Sequence, residues 1–309
     1  MKLSIVTTLY RSRSYIAEFY ARASAAARAH AGDDYEIVMV NDGSPDDSLN
    51  IAVRLAEEDP HVTVVDLSRN FGHHKAIMTG LAHSVGDHVF LLDVDLEEEP
   101  EWLAEFAAAM REKGCDVVFG VQKARKGGWF ERWSGHCFYT VMDAITGLKM
   151  PANAVTARLM TRRYVDALLL HKEQELYIDG LFCSAGFEQA AYTVTKHSLS
   201  ASTYTFRKKM ALLVNSVTSF SNAPLVVISY IGFAISLFSF VYMLHLIIQR
   251  VIFSCITDGW TSIMASIWLM GGLIILFIGV VGVYVSKIFL ETKQRPYTII
   301  RRVYGQRRQ

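Results

Sequence analysis

Two aspartates one residue apart, Asp93 and Asp95, follow directly on the apolar run 89–92. The run is typical of a buried strand, so both carboxylates are expected just beyond its carboxyl end, where they can face one crevice. Ligands of open α/β sheets bind at that edge. Carboxylate oxygens there suit Mg2+ or Mn2+ carrying a diphosphate. Taken alone, such a pair is more often a solvated acidic turn, so the rest of the chain decides.

The elements that must position these carboxylates alternate along the first half of the chain. Apolar or β-rich runs occupy 3–10, 35–40, 61–66, 89–92 and 116–121, and helix-forming segments separate them. An Asn-Asp-Gly-Ser motif at 41–44 and a Ser-Arg-Asn-Phe-Gly motif at 68–72 each follow a predicted strand. Short connections between alternating strands and helices predict a doubly wound, mostly parallel α/β sheet. The loops 7–10, 41–44 and 93–95 are then expected to converge.

The alternation of strand and helix patterns becomes less regular beyond the fifth predicted strand. Residues 123–128 form a basic, glycine-containing segment, which we interpret as a mobile lid whose Arg125 and Lys126 can clamp a phosphate. Segment 132–146 has the pattern of an amphipathic helix. Strands are predicted at 155–160 and 189–195.

The last third of the chain is strongly apolar. Residues 225–248 contain no formally charged side chain, and 260–286 form a second such run. Each is long enough as a helix to cross a hydrocarbon core of ~30 Å. Basic residues lie outside the pair, so the positive-inside rule predicts a cytoplasmic (inner) membrane protein with both termini in the cytoplasm. The alternative is two core helices of a soluble fold.

Charge and cysteine content narrow the class of partner. The formal net charge is +1, but seven basic residues and one acid lie from Lys287 onward. Beside an apolar hairpin, this basic tail is better interpreted as an anchor to anionic lipid headgroups than as a nucleic-acid site. The four scattered cysteines form no Cys-Xaa-Xaa-Cys pair and favour a reducing compartment. The first apolar run is too short for a signal peptide.

These patterns predict four regions. They are a cytoplasmic catalytic domain at 1–205, a juxtamembrane amphipathic segment at 206–224, two transmembrane helices within 225–286, and a basic cytoplasmic tail at 287–309. Several glycines in the second apolar run could pack against a neighbouring helix or a second copy, so a homo-oligomer stays open.

The order of the motifs resembles that of the family 2 glycosyltransferases of GT-A fold. An Asn-Asp-Gly-Ser loop, then Ser-Arg-Asn-Phe-Gly, then Asp-Val-Asp-Leu at 93–96 is similar to the polyprenyl-phosphate glycosyltransferases in particular. That branch includes dolichyl-phosphate mannose synthases and bactoprenyl glucosyltransferases. The resemblance covers nearly the whole chain, including the apolar hairpin.

The resemblance implies roles for individual residues. Asp95 is expected to ligate the metal and act in catalysis, with Asp93 beside it at the ribose and diphosphate. Asp42 is expected to contact the nucleotide, although it could equally form an Asx turn with Gly43. The resemblance further implies that Thr8, Tyr10 and Gly72 bind the nucleotide sugar. Glu97 and the acids after it are interpreted as the charge set of a helix N-terminus, and His73 and His74 as solvated or satisfied residues.

Three departures from the family pattern matter. Arg11 and Ser12 follow the tyrosine of the first strand, where many relatives have Asn-Glu. Thr156 stands where relatives have an acid, in a stretch that retains Arg158, and Thr203 replaces a lysine.

The missing acid bears on the acceptor. A hydroxyl acceptor needs a general base, whereas a phosphate monoester with a second pKa of about 6 is already largely ionised at neutral pH. Thr156 therefore favours a lipid phosphate, held by Arg158, Arg207 and Lys208. A sugar hydroxyl stays open if Glu173, Glu175 or Asp179 supplies the base.

The sequence thus predicts a metal-dependent, inverting glycosyltransferase that moves a sugar from a nucleotide sugar to a polyprenyl phosphate at the cytoplasmic face. Two alternatives stay open. One is transfer to a hydroxyl of a lipid-linked saccharide, and the other is a non-catalytic membrane partner of a flippase. No nucleic-acid partner is expected.

Overall fold

The computed structural model of the chain describes residues 2–122, 153–174, 178–195, 223–253 and 259–305. The chain divides into two compact units, of which the first comprises 1–205 with 295–309 and the second 206–294. The predicted lid at 123–128, the predicted helix at 132–146 and positions 206–222 of the juxtamembrane segment lie outside the described residues.

The first half of the chain alternates strands and helices as the sequence predicts. The elements are β1 (Leu3–Leu9), α1 (Ile16–Ala31), β2 (Tyr35–Asn41), α2 (Ser48–Glu58), β3 (Val62–Leu67), α3 (His73–His83), β4 (His88–Leu91), α4 (Trp102–Lys113) and β5 (Val117–Gln122). After them come β6 (Ala154–Thr161), α5 (Arg162–Leu168), α6 (Ile178–Ser184), β7 (Gln189–Val194) and, at the far end of the chain, β8 (Ile300–Tyr304).

The described strands form one sheet in the order β7-β5-β6-β4-β1-β2-β3-β8. The α/β prediction is confirmed, and the neighbours β4, β1, β2 and β3 are parallel. The sheet is mixed but mostly parallel, since six of the eight described strands share one direction, with β7 parallel to β5. The exceptions are β6, which runs antiparallel to both β4 and β5, and β8, which runs antiparallel to β3. Sequence periodicity finds a strand but does not fix its direction, so these two reversals are not predictable from it.

Alternate residues of the central strands face two helical layers. Leu3, Ile5 and Ile37 belong to the core cluster that also contains apolar residues of α1, α2 and α4. Val6 and Val40 face the other way, toward α3, where a Cβ on Gly80 would come within 2.5 Å of Val6 Cγ1. A parallel sheet covered on both faces needs such continuous apolar strands. The close approach at Gly80 sets α3 against β1 and β2.

The basic segment at the end of the chain does not form a separate tail throughout. Residues 300–304 form β8, which pairs with β3, and 295–309 belong to the compact unit of the sheet. The predicted tail at 287–309 therefore contains one strand of this sheet. The segment 297–304 is rich in β-forming residues, but it is short and basic, and its sequence does not indicate the strand with which it pairs.

The second unit contains two long helices, α7 (Ala223–Phe253) and α8 (Trp260–Thr292). Within the described part of the chain, one segment, Leu269–Thr292, is long and apolar enough to cross a membrane, and none of it is buried in the protein. A shorter apolar helical segment occupies Leu225–Ile235.

Candidate active site

The predicted site loops lie at the carboxyl ends of four adjacent parallel strands. Thr8 lies in β1, the 41–44 motif follows β2, the 68–72 motif follows β3, and Asp93 follows β4 by one intervening residue. Loops that leave the same edge of neighbouring strands share one crevice. The chain order of these elements alone would not reveal this, because β4 inserts next to β1 on the far side from β2.

Asp93 and Asp95 face away from the core on either side of a buried residue. Val94 between them is 6% exposed, whereas both carboxylates are half-buried. Leu96 has a positive φ of 61°, which turns the chain directly after the pair. Asp95 Oδ1 accepts the backbone N–H of Glu97 at 3.0 Å. Asp93 and Asp95 thus flank a buried residue and are each partly open to solvent.

His73, the first residue of α3, connects two of the site loops. Its Nδ1 lies 3.1 Å from Thr8 Oγ1, and its Nε2 lies 3.5 Å from Asp93 Oδ1. This residue was interpreted as solvated or satisfied, and the structure gives it a direct contact with a predicted site carboxylate. No sequence signal marks this contact, because His73 and Asp93 come from different loops and are separated by a helix and a strand.

Glu98 holds the acidic loop in place. The residue is fully buried, and its two carboxylate oxygens accept the backbone N–H groups of Thr156 at 2.9 Å and of Asp93 at 3.3 Å. The interpretation of these acids as a helix N-terminal charge set is wrong for Glu98, since α4 begins only at Trp102. A buried carboxylate is stable here because hydrogen bonds replace its water.

Asp42 is 2% exposed, and its oxygens accept the backbone N–H groups of Phe71 at 2.7 Å and Gly72 at 3.0 Å. Burial raises the pKa of Asp42, and the two amides oppose that shift. Gly72 has a φ of 101°, which only glycine adopts readily. Asp42 therefore joins the 41–44 and 68–72 loops, and any contact it makes with a nucleotide would use its remaining lone pairs.

Tyr10 and Arg11 form the outer part of the β1 loop. Tyr10 is 46% exposed, and the Arg11 guanidinium lies 5.6 Å from the centre of its ring. The backbone N–H of Arg11 donates to Ser44 Oγ at 2.7 Å. The β1 loop is thereby attached to the 41–44 motif, and the Tyr10 ring is left accessible to a planar ligand.

A cavity of about 400 Å³ opens beside His73. Its lining includes Thr156, Arg158, Asp179, Phe182 and His74, together with Asn153 and several apolar side chains. The cavity lining thus brings together a cation, a carboxylate and a hydroxyl, and it includes His73, whose imidazole contacts Asp93.

Arg158 is almost fully buried at this cavity. Its Nε donates to the carbonyl of Thr156 at 3.1 Å and its Nη2 to that of Val155 at 3.3 Å, while its guanidinium carbon lies 3.3 Å from the centre of the Phe182 ring. Burial lowers the pKa of Arg158, and nearby acidic groups, among them Asp179, oppose the shift. A guanidinium has five N–H donors, so these contacts fix its plane without using all of them.

Several predicted site residues belong to segments that the structure does not describe. Arg125, Lys126, Arg207 and Lys208, predicted to bind an acceptor phosphate, lie outside the described residues, as does Glu175. In the ranges that the structure describes, no three His, Cys, Asp or Glu side chains cluster closely enough to hold a metal ion. The hard oxygens of Asp93 and Asp95 still fit one or two positions around Mg2+ or Mn2+.

Comparison with known proteins adds an independent finding. Residues 4–169 match the model of the family described as glycosyl transferase family 2. A Mycobacterium tuberculosis protein described as a glycosyltransferase is 52% identical over 305 residues, which is 99% of this chain and 89% of that protein. The bactoprenol glucosyl transferase of Shigella phage SfX is 32% identical over 304 residues, covering 97% and 99% of the two chains.

Among solved structures, the chain is similar to the UDP complex of glucosyl-3-phosphoglycerate synthase from Mycobacterium tuberculosis. That similarity has a TM-score of 0.49 at 16% identity, over 71% of this chain and 78% of the other.

Proposed function

Because this chain belongs to glycosyl transferase family 2, we propose that it transfers a sugar from a nucleotide-sugar donor to the phosphate of a membrane polyprenol. Relatives named bactoprenol glucosyl transferases, which align along nearly the whole chain, support this acceptor. In the proposed reaction a phosphate oxygen forms a bond to the anomeric carbon as the bond to the nucleoside diphosphate breaks. A single displacement of this kind inverts the anomeric configuration.

The observation that carries this proposal is the cavity at Arg158. A buried guanidinium that lines the same cavity as His73, the residue in contact with Asp93, is a favourable partner for a phosphate, because charge-assisted hydrogen bonds are strong. Position 156, where relatives have an acid, carries a threonine whose N–H is bonded to Glu98. A phosphate nucleophile is already ionised at neutral pH and needs no base at that position.

The donor is proposed to bind across the β1, β2 and β3 loops. Asp42 and Gly72 define the shape of the crevice, and Thr8 and Tyr10 line its other side. Asp93 and Asp95 would hold a divalent cation, whose charge neutralises the leaving diphosphate. Since two carboxylates provide few ligands, the diphosphate itself would complete the coordination.

The proposed location is the cytoplasmic membrane surface, with two crossings by α7 and α8. One sheet cannot extend to both sides of a bilayer, so β3 and β8 must lie on the same side. The chain between them therefore crosses a membrane an even number of times. The apolar segment of α8 provides one crossing, and α7, 31 residues long, is the proposed other. Arg207 and Lys208, with Arg125 and Lys126, are proposed to assist in holding the acceptor phosphate.

A second candidate function is transfer to a hydroxyl of a lipid-linked saccharide. One observation favours it, namely that Asp179 lines the same cavity as Arg158 and could take a proton from a hydroxyl acceptor. The first candidate is preferred because the buried Arg158 supplies a cation at this cavity, and because position 156 carries a threonine where relatives have an acid.

The test uses purified full-length protein, a panel of labelled nucleotide sugars, and one of three acceptors: polyprenyl phosphate, the matching unphosphorylated polyprenol or a lipid-linked saccharide. We expect labelled lipid with the phosphate only, and we expect mild acid to release the sugar. The Asp179→Asn variant should retain transfer to the phosphate. Transfer that requires a hydroxyl acceptor and is lost in Asp179→Asn would instead establish the second candidate.

A further inference from the structure

The last strand of the chain lies beside the loops that are proposed to bind the donor. In the β3–β8 ladder, Asp66 pairs with Arg302 and Leu67 pairs with Ile300, so Arg301 is the extra residue of a β-bulge. A bulge locally twists a strand and redirects a side chain, and such irregularities are common next to active sites. Here the bulge falls where β3 leads into the 68–72 motif.

Arg301 makes two contacts at this point. Its Nη1 lies 3.3 Å from Asp66 Oδ2, and its Nη2 donates to the carbonyl oxygen of Ser68 at 2.6 Å. The Asp66 side chain is 1% exposed, whereas that of Arg301 is 59% exposed. A buried carboxylate that loses its cationic partner is strongly unfavourable. Arg301 therefore neutralises Asp66 from the solvent side.

Asp66 connects Arg301 to the 41–44 motif. Its other oxygen, Oδ1, accepts a hydrogen bond from Asn41 Nδ2 at 2.8 Å, and Asn41 Oδ1 accepts the backbone N–H of Ser44 at 3.3 Å. Asn41 is buried as well, at 2% exposed. A continuous series of polar contacts thus runs from Arg301 through Asp66 and Asn41 to the 41–44 motif.

Two further contacts attach the segment before β8 to the same region. The backbone N–H of Ser68 donates to the carbonyl of Ile299 at 2.9 Å, and the hydroxyls of Thr298 and Thr79 lie 2.9 Å apart. Thr79 belongs to α3, whose first residue is His73. The end of the chain therefore contacts the β3 loop and the helix that carries His73.

We propose that Arg301 is a positioning residue for donor binding, acting through Asp66 and Ser68 on the 41–44 and 68–72 loops. This inference rests on the proposed function, because it takes these loops as the nucleotide site. Arg301 itself does not touch the donor. The last strand is in this view a part of the donor site rather than only a basic contact to lipid.

The test compares Arg301→Ala, Arg301→Lys and Arg302→Ala in the full-length chain. Arg302 provides the matched control, because it is the adjacent exposed arginine and its guanidinium lies over Tyr304 instead of Asp66. Affinity for a panel of nucleoside diphosphates (UDP, GDP, ADP, dTDP) is measured by calorimetry, the thermal midpoint by scanning, and transfer in a separate assay.

We expect Arg301→Ala to weaken nucleotide binding by about five- to tenfold, as loss of a charge-assisted contact implies. Arg301→Lys should recover part of this loss, because a lysine keeps the charge but can reach only one of the two acceptors. Arg302→Ala should bind like the wild type. If Arg301→Ala does not express, the intermediate affinity of Arg301→Lys carries the test.

Two results would overturn the inference. One is an equal loss in Arg301→Ala and Arg302→Ala, which would indicate an effect of charge alone. The other is a lowered thermal midpoint with unchanged nucleotide affinity, which would indicate a purely structural contact. A wild type that binds a nucleotide but transfers no sugar contradicts the proposed function and leaves the comparison of variants valid. A wild type that binds no nucleotide contradicts both.

Discussion

Glu98 has no access to solvent, and each of its carboxylate oxygens accepts a backbone N–H. Through these bonds it connects the loop of Asp93 to β6, the strand that carries Arg158. Glu98 thus fixes the spacing between the loop of the acidic pair and the strand of Arg158. We infer a structural role for Glu98 from these two hydrogen bonds.

The Glu98→Gln variant tests this role. An amide can accept one of the two N–H groups but presents an NH2 to the other, which leaves a buried donor unsatisfied. We expect a loss of about 1–3 kcal/mol in the free energy of unfolding and a fall in transfer activity. Chemical denaturation and the labelled-lipid assay measure the two effects. The exposed Glu57→Gln on α2 is the control, and equal stability of both variants would contradict the role.

At this scale the sequence indicates the candidate site side chains but not the residues that support them. The Asp-Xaa-Asp pair and Arg158 were identifiable because their residue types suit a cation and a phosphate. Glu98 was interpreted as part of a helix N-terminal charge set and His73 as solvated or satisfied, because their partners are backbone amides and side chains on other loops. Those contacts depend on strand order, which residue types do not encode.

Among the elements, the turn at Gly43 determines how closely two loops approach. Gly43 has a φ of 59°, and a Cβ there would lie 2.4 Å from the carbonyl carbon of Arg69 and 2.5 Å from the nitrogen of Asn70. Both obstacles are backbone, which cannot rotate away. The 41–44 and 68–72 loops therefore pack main chain to main chain, with Asp42 bonded across them.

The Gly43→Ala variant is expected to separate these loops and weaken nucleotide binding at least tenfold, because the clash adds to the backbone strain. Gly114→Ala is the matched control. Its φ is 61°, yet a Cβ there meets nothing within 4 Å, so it should cost only about 1 kcal/mol of stability. Calorimetry and denaturation compare the two variants. Similar nucleotide affinity in both would show that the close approach is unimportant.

The elements of the first half were predictable from sequence, since continuous apolar runs alternate with helical patterns there. The antiparallel directions of β6 and β8 were not. A strand such as β8, whose residues are largely exposed and include two adjacent arginines, lacks the apolar alternation that marks a strand. Its place at the sheet edge follows from hydrogen bonds to β3, which act over more than 230 residues of chain.

For the whole molecule, the β3–β8 ladder restricts the proposed membrane topology more firmly than hydropathy does. The described residues contain one segment that satisfies the length and composition of a span. A single crossing would place β8 on the opposite side of the bilayer from the rest of its sheet. An open sheet does not extend through the hydrocarbon core, because the backbone groups at its edges would be left without hydrogen bonds there. The proposed second crossing by α7 restores both ends of the sheet to one side.

Reporter fusions test this topology. A fluorescent protein fused after residue 309 should be fluorescent in the cytoplasm, and alkaline phosphatase inserted after Gly259 should be active outside. The expectation follows from two crossings with the linker between α7 and α8 exposed to the other side. Phosphatase activity from a fusion at the C-terminus would mean an odd number of crossings and would contradict the topology.

The central claim is that carboxylates at the sheet edge hold the sugar donor for transfer, and Asp95→Asn tests it most directly. Turnover of labelled donor with polyprenyl phosphate is measured for this variant, for the wild type with the divalent cation chelated, and for Asp166→Asn, whose side chain is 62% exposed on α5. We expect Asp95→Asn to lose roughly a hundredfold or more, the chelated wild type to be similarly impaired, and Asp166→Asn to match the wild type. Full turnover by Asp95→Asn with the cation removed would contradict the account.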